Sequence, residues 1–297
     1  MRCGWRVREP GVARWRAGEY SPGMALEDHL GDILAKSRAS LGLTTDMLAE
    51  VAGVSEDVYA ALEASGRWDG QVALDRLAAQ LGLDATKLER VARGWEPAPV
   101  ALGRWRELRC LTTGDSSFTV NCYLLWDEAT REAALFDTGL NAEVVLEMVE
   151  AERLQLRHIF ITHSHYDHVE ALGPIRQRQP QARVHSSSAH APLEQRNRPT
   201  DFIHLGGLRI TNRDTPGHAD DGVTYVVGNW PEDAPSVAIV GDAIFAGSMG
   251  KAVAHFELAR QKVREQILSL PAETLICPGH GPLTTVGEER GHNPFFR

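Results

Sequence analysis

Thr162-His163-Ser164-His165-Tyr166-Asp167-His168 follows the apolar run His158-Ile159-Phe160-Ile161, and it decides how the rest of the chain is read. Three imidazoles and a carboxylate fall within six positions. His163 and His165 are two residues apart and Asp167 and His168 are adjacent, so neither one helix face nor one strand face could collect all four. A tight loop leaving a strand can, and such a set of neutral imidazoles and a carboxylate suits Zn²⁺, with Fe or Mn also compatible. A chance His-rich surface loop is the competing reading, and the downstream sequence argues against it.

Three later segments repeat the same grammar of an apolar run, a Gly or Pro turn and one metal-competent side chain. Leu208-Arg209-Ile210 leads to Thr215-Pro216-Gly217-His218, Val237-Ala238-Ile239-Val240 to Gly241-Asp242, and Thr274-Leu275-Ile276-Cys277 to Pro278-Gly279-His280. Strand ends that deliver side chains to one rim make a rigid site. His163, His165, Asp167, His168, His218, Asp242 and His280 are seven donors. That exceeds one tetrahedral zinc and fits two metals sharing a carboxylate, each keeping a position for water.

With these motifs in order, the segment from about Arg104 to the C-terminus resembles the metallo-β-lactamase superfamily, and within it the glyoxalase II-like hydrolases. The resemblance implies an α+β fold, an αβ/βα sandwich of two mixed sheets with helices outside and metals at one edge. Carried over motif by motif, it implies that His163, His165 and His218 hold one ion, that Asp167, His168 and His280 hold the second, and that Asp242 bridges them. The implied cofactors are two divalent ions, zinc first, and the implied reaction is attack of a metal-held hydroxide on a thioester or related acyl ester. Asp167 is then also catalytic, orienting the nucleophile. Asn121-Cys122-Tyr123-Leu124 and Ala133 to Gly139 fit the family's opening strands, with Asp137 supporting the ligands or shaping a turn.

The substrate is less legible. Lys251, at the end of Ala243 to Lys251, matches the basic position that contacts a glutathione carboxylate in glyoxalase II, so it is the expected substrate contact. Gly281-Pro282, however, stand where that family has a thiol-binding aromatic, and the chain ends soon after His280. A mononuclear-iron persulfide dioxygenase using only His163, His218 and Asp242 is the alternative enzyme on this scaffold. Cys277 reads as buried filling, and His158, His185, His190, His204, His255 and His292 as structural or solvated.

Residues 24–96 have helical apolar spacing, with Leu26, Leu30, Ile33 and Leu34 opening the pattern and segments Val72 to Leu81 and Leu88 to Trp95 closing it. Leu48 to Ser55 resembles the helix-turn-helix of phage-repressor-like proteins. Over residues 24–100, seven Lys and Arg face thirteen Asp and Glu, 7 − 13 = −6, and Ser55 to Ser65 holds Glu56, Asp57 and Glu63 with no cation. Because DNA affinity rests on neutralising phosphates, nucleic acid is not the expected partner. That disfavours a DNA-binding regulator with a metal-sensing domain and points to a helical module that packs or forms a homodimer. The domain expectation is an extension over 1–23, a helical unit over 24–96 and a hydrolase unit over 104–297, with Glu96-Pro97-Ala98-Pro99 between the last two. Residues 1–23 are Arg-rich, without an apolar core for a secretory signal; they read as disordered, with Met24 a candidate start. The net charge of −9, four cysteines without framework spacing and no membrane-length apolar stretch fit a cytoplasmic protein acting on a small acyl thioester or ester.

Overall fold

The computed structural model describes residues 24–115, 118–198 and 200–297. The expectations for residues 1–23 lie outside the described residues. From Leu108 onward the chain builds two mixed sheets. The first holds β1 (Leu108–Gly114), β2 (Thr119–Trp126), β3 (Glu132–Phe136), β4 (Gln155–Phe160) and β5 (Arg183–His185) in that spatial order. Its first three strands run antiparallel, whereas β3, β4 and β5 are parallel neighbours. Parallel pairing requires a crossover: α6 (Ala142–Ala151) joins β3 to β4, and α7 (Tyr166–Val169) and α8 (Leu172–Arg178) join β4 to β5.

The second sheet has the order β11-β10-β9-β8-β7-β6, comprising β6 (Phe202–Leu205), β7 (Leu208–Asp214), β8 (Val223–Gly228), β9 (Val237–Gly241), β10 (Leu275–Pro278) and β11 (Thr284–Thr285). Only β9 and β10 pair in parallel, connected through α9 (Phe256–Lys262) and a π-turn over Val263–Ile267. The chain closes with α10 (Val286–His292).

Fully apolar strands such as Val237–Gly241 and Leu275–Pro278 are buried along their whole length, because each sheet is covered on both faces. Phe136, Phe160, Tyr225, Val227, Ile239 and Leu275 fill the space between the sheets. Val145, Val149 and Ile175 on the helices cover the outer face of the first sheet over Leu124, Leu135 and Ile159. This is the expected sandwich.

The N-terminal helices cover the other side. They are α1 (Leu30–Ser40), α2 (Thr45–Ala52), α3 (Glu56–Ser65), α4 (Leu74–Leu81) and α5 (Ala85–Ala92). Leu34, Leu48, Tyr59, Leu77 and Leu88 share one continuous apolar cluster with Ile244, Met249, Phe256, Phe295 and the outward-facing Ala238 and Ile276 of the second sheet. Polar contacts cross the same boundary. Arg260 donates to Gly82 O and Phe295 O at 3.0 Å, and Asp84 N donates to Pro294 O at 2.8 Å.

Three helix bounds differ from the sequence reading. The first helix begins at Leu30 and excludes Leu26, because His29 and Asp32 form a capping box that stops it. The fourth begins at Leu74, two residues after Val72. The fifth begins at Ala85, capped by Asp84, whose carboxylate accepts from Lys87 N at 3.0 Å, and ends before Trp95. Apolar spacing alone overlooked the caps, which fix where a helix can start.

Candidate metal centre

All seven donors identified in the sequence meet at one edge of the sandwich, where β4, β9 and β10 end and the turn between β7 and β8 crosses. His163 Nε2 and His218 Nε2 each lie 3.0 Å from His165 Nδ1. His168 Nε2 lies 3.3 Å from Asp242 Oδ1 and 3.4 Å from Asp167 Oδ2. His280 Nε2 is 3.2 Å from Asp167 Oδ2 and 3.5 Å from Asp242 Oδ2, and the latter oxygen is also 3.4 Å from His218 Nε2. Three overlapping donor groups result: His163, His165 and His218; His163, His168 and Asp242; and Asp167, His168 and His280. Asp242 thus lies between the two outer triads.

The donor set fits a metal on a physical ground. His168 Nε2 and Asp242 Oδ1 are buried and make no hydrogen bond, although they face each other. An unpaired buried polar atom is costly, and two facing each other at ligand positions are accounted for by a shared cation.

Behind the donors, four of the five imidazoles are oriented through their other nitrogen. His163 Nδ1 meets Thr162 Oγ1 at 3.1 Å, His218 Nδ1 meets Lys251 O at 3.0 Å, and His280 Nδ1 meets Thr119 O at 2.7 Å. His168 Nδ1 lies 2.8 Å from Asp137 Oδ2, and the same carboxylate accepts from Thr162 N and Thr162 Oγ1, each at 2.7 Å. Asp137 therefore supports the ligands from behind, fixing the strand end that launches His163 and the ring of His168 together.

Asn121 on β2 has a role the sequence did not disclose. Its Nδ2 donates to Gly281 O at 3.0 Å and to Pro278 O at 3.3 Å, while its backbone N donates to Gly279 O at 2.7 Å. Tyr123 adds a 2.6 Å bond from its hydroxyl to Pro278 O. One sheet thus clamps the turn that the other sheet uses to present His280. Gly279 is required there by space: a Cβ would lie 2.2 Å from Asp242 Oδ1 and 2.7 Å from His168 Cε1.

Burial and mutual contact among the donors shift their protonation strongly. Burial, with neighbouring His168, pushes His163 down to about 2, so its ring is neutral. Burial likewise lowers His218. Burial opposes protonation of His280, yet the bonds to Asp167 and Asp242 prevail and push it up to about 10. His168 is raised despite burial because Asp137 and Asp242 hold its charged form. Asp242 is held well below the carboxylate range by His168 and His280, which overcome its burial.

Lys251 lies beside His218, but the contact is through its backbone carbonyl, and its side chain is exposed. Cys277 is fully buried, and burial pushes its thiol up, as filling rather than a nucleophile requires. His158 and His185 pair with each other at 2.9 Å, apart from the donor groups. Aromatic residues the sequence did not single out line the centre: the Phe118 ring lies 5.4 Å and the Phe245 ring 5.9 Å from His280. Phe118 and Tyr166 are 49% and 66% exposed, which leaves an open apolar surface beside the donors.

Residues 116–280 match the model of the metallo-beta-lactamase superfamily, and this chain belongs to that family. Among curated proteins it is similar to the hydroxyacylglutathione hydrolase GloC of Haemophilus influenzae, 27% identical over 206 residues, covering 61% of this chain and 94% of the relative. It is also similar to the human mitochondrial persulfide dioxygenase ETHE1, 31% identical over 212 residues, covering 68% of this chain and 78% of the relative. Among solved structures, ETHE1 from Myxococcus xanthus superposes with a TM-score of 0.55 at 33% identity, covering 63% of this chain and 83% of that one.

Proposed function

We propose that this protein is a metal-dependent hydrolase of the glyoxalase II-like type, acting on a small acyl thioester or related ester. The observation that carries the reading is the second complete donor triad, Asp167, His168 and His280, beside the first, with Asp242 between them. His163, His165 and His218 would hold one divalent ion, Asp167, His168 and His280 the other, and Asp242 both. Bound there, such ions lower the pKa of water toward about 7 and draw charge from a carbonyl oxygen.

The chain's own residues supply position and proton handling. Asp167 is only partly buried, so a carboxylate oxygen can hold a water proton at the open side of the site. Asp137, Thr119 O and Lys251 O keep the imidazoles in fixed orientation, so no reorganisation is needed during turnover. Phe118 and Tyr166 offer an apolar wall for the leaving thiol or alcohol. Lys251, exposed beside His218, would contact an anionic part of the substrate. We assign the N-terminal helices a packing role, since α3 presents Glu56, Asp57 and Glu63, the last bound by Arg38 at 2.7 and 2.9 Å, and no cation.

The similarity to persulfide dioxygenases favours one second reading, a single-iron oxidation using His163, His218 and Asp242. Metal analysis of the purified protein with parallel assays separates the two. Near two zinc-like ions per chain and hydrolysis of S-lactoylglutathione or a simpler thioester support the first. One iron per chain with sulfite produced from a persulfide would replace it with the second.

A further inference from the structure

The helical layer reaches the metal centre through one short segment. Because the His29–Asp32 capping box ends α1 at Leu30, residues 26–28 run outside the helix, between the turn that carries His280 and the loop that follows Asp242. Asp28 anchors this passage. It is 5% exposed, accepts from Ser248 Oγ at 2.5 Å and pairs with Lys36, which itself donates to Met249 O at 3.1 Å and lies 5.2 Å over the Phe245 ring.

Glu27, one residue earlier, packs its backbone on Gly281, directly after His280. A Cβ on Gly281 would be 3.0 Å from Glu27 N and 3.3 Å from Glu27 Cβ, and Gly281 has φ +71. Gly281 is thus the residue that lets the segment approach. The Glu27 side chain is exposed, and among the described residues its carboxylate has no hydrogen-bonded or ion-paired partner. Burial raises its carboxyl above 4.5 against the pull of His280, and the influence of His280 and Asp242 on it puts the group within electrostatic reach of the centre. Lys36, the nearby cation, is occupied by Asp28 and Met249. On the same His280 ring stands Phe118, half exposed.

We propose that Glu27 and Phe118 form a recognition corner for a cationic group, so that the preferred substrate is an acyl thioester or ester bearing an ammonium on the side of His280. A carboxylate and an open aromatic face are the two elements that attract an ammonium, and both disfavour an anion. Two neighbouring cations in the centre would draw any anion, and Glu27 offsets that pull on one side only. Glu27 is therefore a specificity-determining residue supplied by the helical layer. The inference deepens the hydrolase reading and rests on it.

The test compares the full-length, metal-loaded protein with Glu27→Gln and Glu27→Lys on an oppositely charged pair of acetyl thioesters, acetylthiocholine and S-acetylthioglycolate. Expected is a kcat/KM ratio favouring the cation by about tenfold in the parent chain. The ratio should fall toward one in Glu27→Gln and reverse in Glu27→Lys. In parallel, binding of thiocholine and thioglycolate to the cobalt-loaded proteins is read from thiolate-to-cobalt absorption, which needs no turnover. No hydrolysis, but a Glu27-dependent preference for thiocholine, would sink the hydrolase reading and keep the recognition corner. A ratio that is the same in the parent and both variants, or an anion preference in the parent, overturns the corner whether or not the thioesters are cleaved.

Discussion

At the scale of single residues, the centre depends on side chains that never meet a metal. Asp137 holds Thr162 and His168 with three bonds of 2.7 to 2.8 Å, so Asp137→Ala should lower metal affinity or activity by about 10- to 100-fold while the fold persists. Metal titration with a chelator and circular dichroism would check both parts, and unchanged affinity would contradict the orienting role. Proton linkage gives a second expectation. In the metal-free chain His280 is pushed up to about 10 and His168 is also raised, so both carry protons at neutral pH that a metal must displace. Metal uptake should therefore release protons, and affinity should weaken as pH falls. Calorimetry at pH 7.5 in buffers of different ionisation enthalpy would show a release of about two protons; zero release would mean those rings are already neutral.

Single elements show how far the sequence could be read. The strand-then-turn grammar around His163, His218, Asp242 and His280 was legible because buried strands demand apolar runs and sharp turns demand Gly or Pro. The clamp by Asn121 was not, because it joins β2 to a turn more than 150 residues away. The tie between α10 and the loop after Asp242 is equally non-local. Glu289 is fully buried and accepts from Gly247 N, Asn293 Nδ2 and Thr284 Oγ1 at 3.0, 2.8 and 2.8 Å. Burial pushes its carboxyl up to about 7 from 4.5, against those bonds. A folded-state pKa above the unfolded one contributes stability that is complete below 4.5 and is lost as pH rises through about 7. Glutamine reproduces the protonated form, since its amide can donate to Thr284 while its carbonyl accepts from Gly247 and Asn293. Glu289→Gln should therefore match the parent near pH 4.5 and exceed it at pH 8 by up to about 3 kcal/mol in urea unfolding. Equal stability at both pH values would show that Glu289 is ionised at no cost.

For the whole molecule, the apolar cluster that runs from Leu34 and Leu77 to Ile244, Phe256 and Phe295 predicts joint unfolding of the helices and the sandwich. Denaturation followed by far-ultraviolet dichroism and by loss of metal binding should give coincident transitions. Leu88→Ala, at a fully buried position of this cluster, should shift both by about 2–4 kcal/mol. Two separated transitions would mean that the helices and the sandwich fold independently. Among the described residues no helix is long and apolar enough to cross a membrane.

By itself the sequence determined the family through its ordered motifs, and through that resemblance the two-sheet architecture; it also singled out the seven candidate donors, because strand burial and metal ligation each impose a local pattern of residue types that survives without coordinates. What only the tertiary structure decided is how the centre is enclosed: that Thr162, Asp137, Lys251 O and Thr119 O orient His163, His168, His218 and His280, and that Glu27 from the helical layer packs on Gly281, next to His280. Most of those relations join residues far apart in the chain, and they depend on distances and on a capping box at His29 that redirects three residues. No local pattern encodes them; they exist only once the two sheets and the helices have packed.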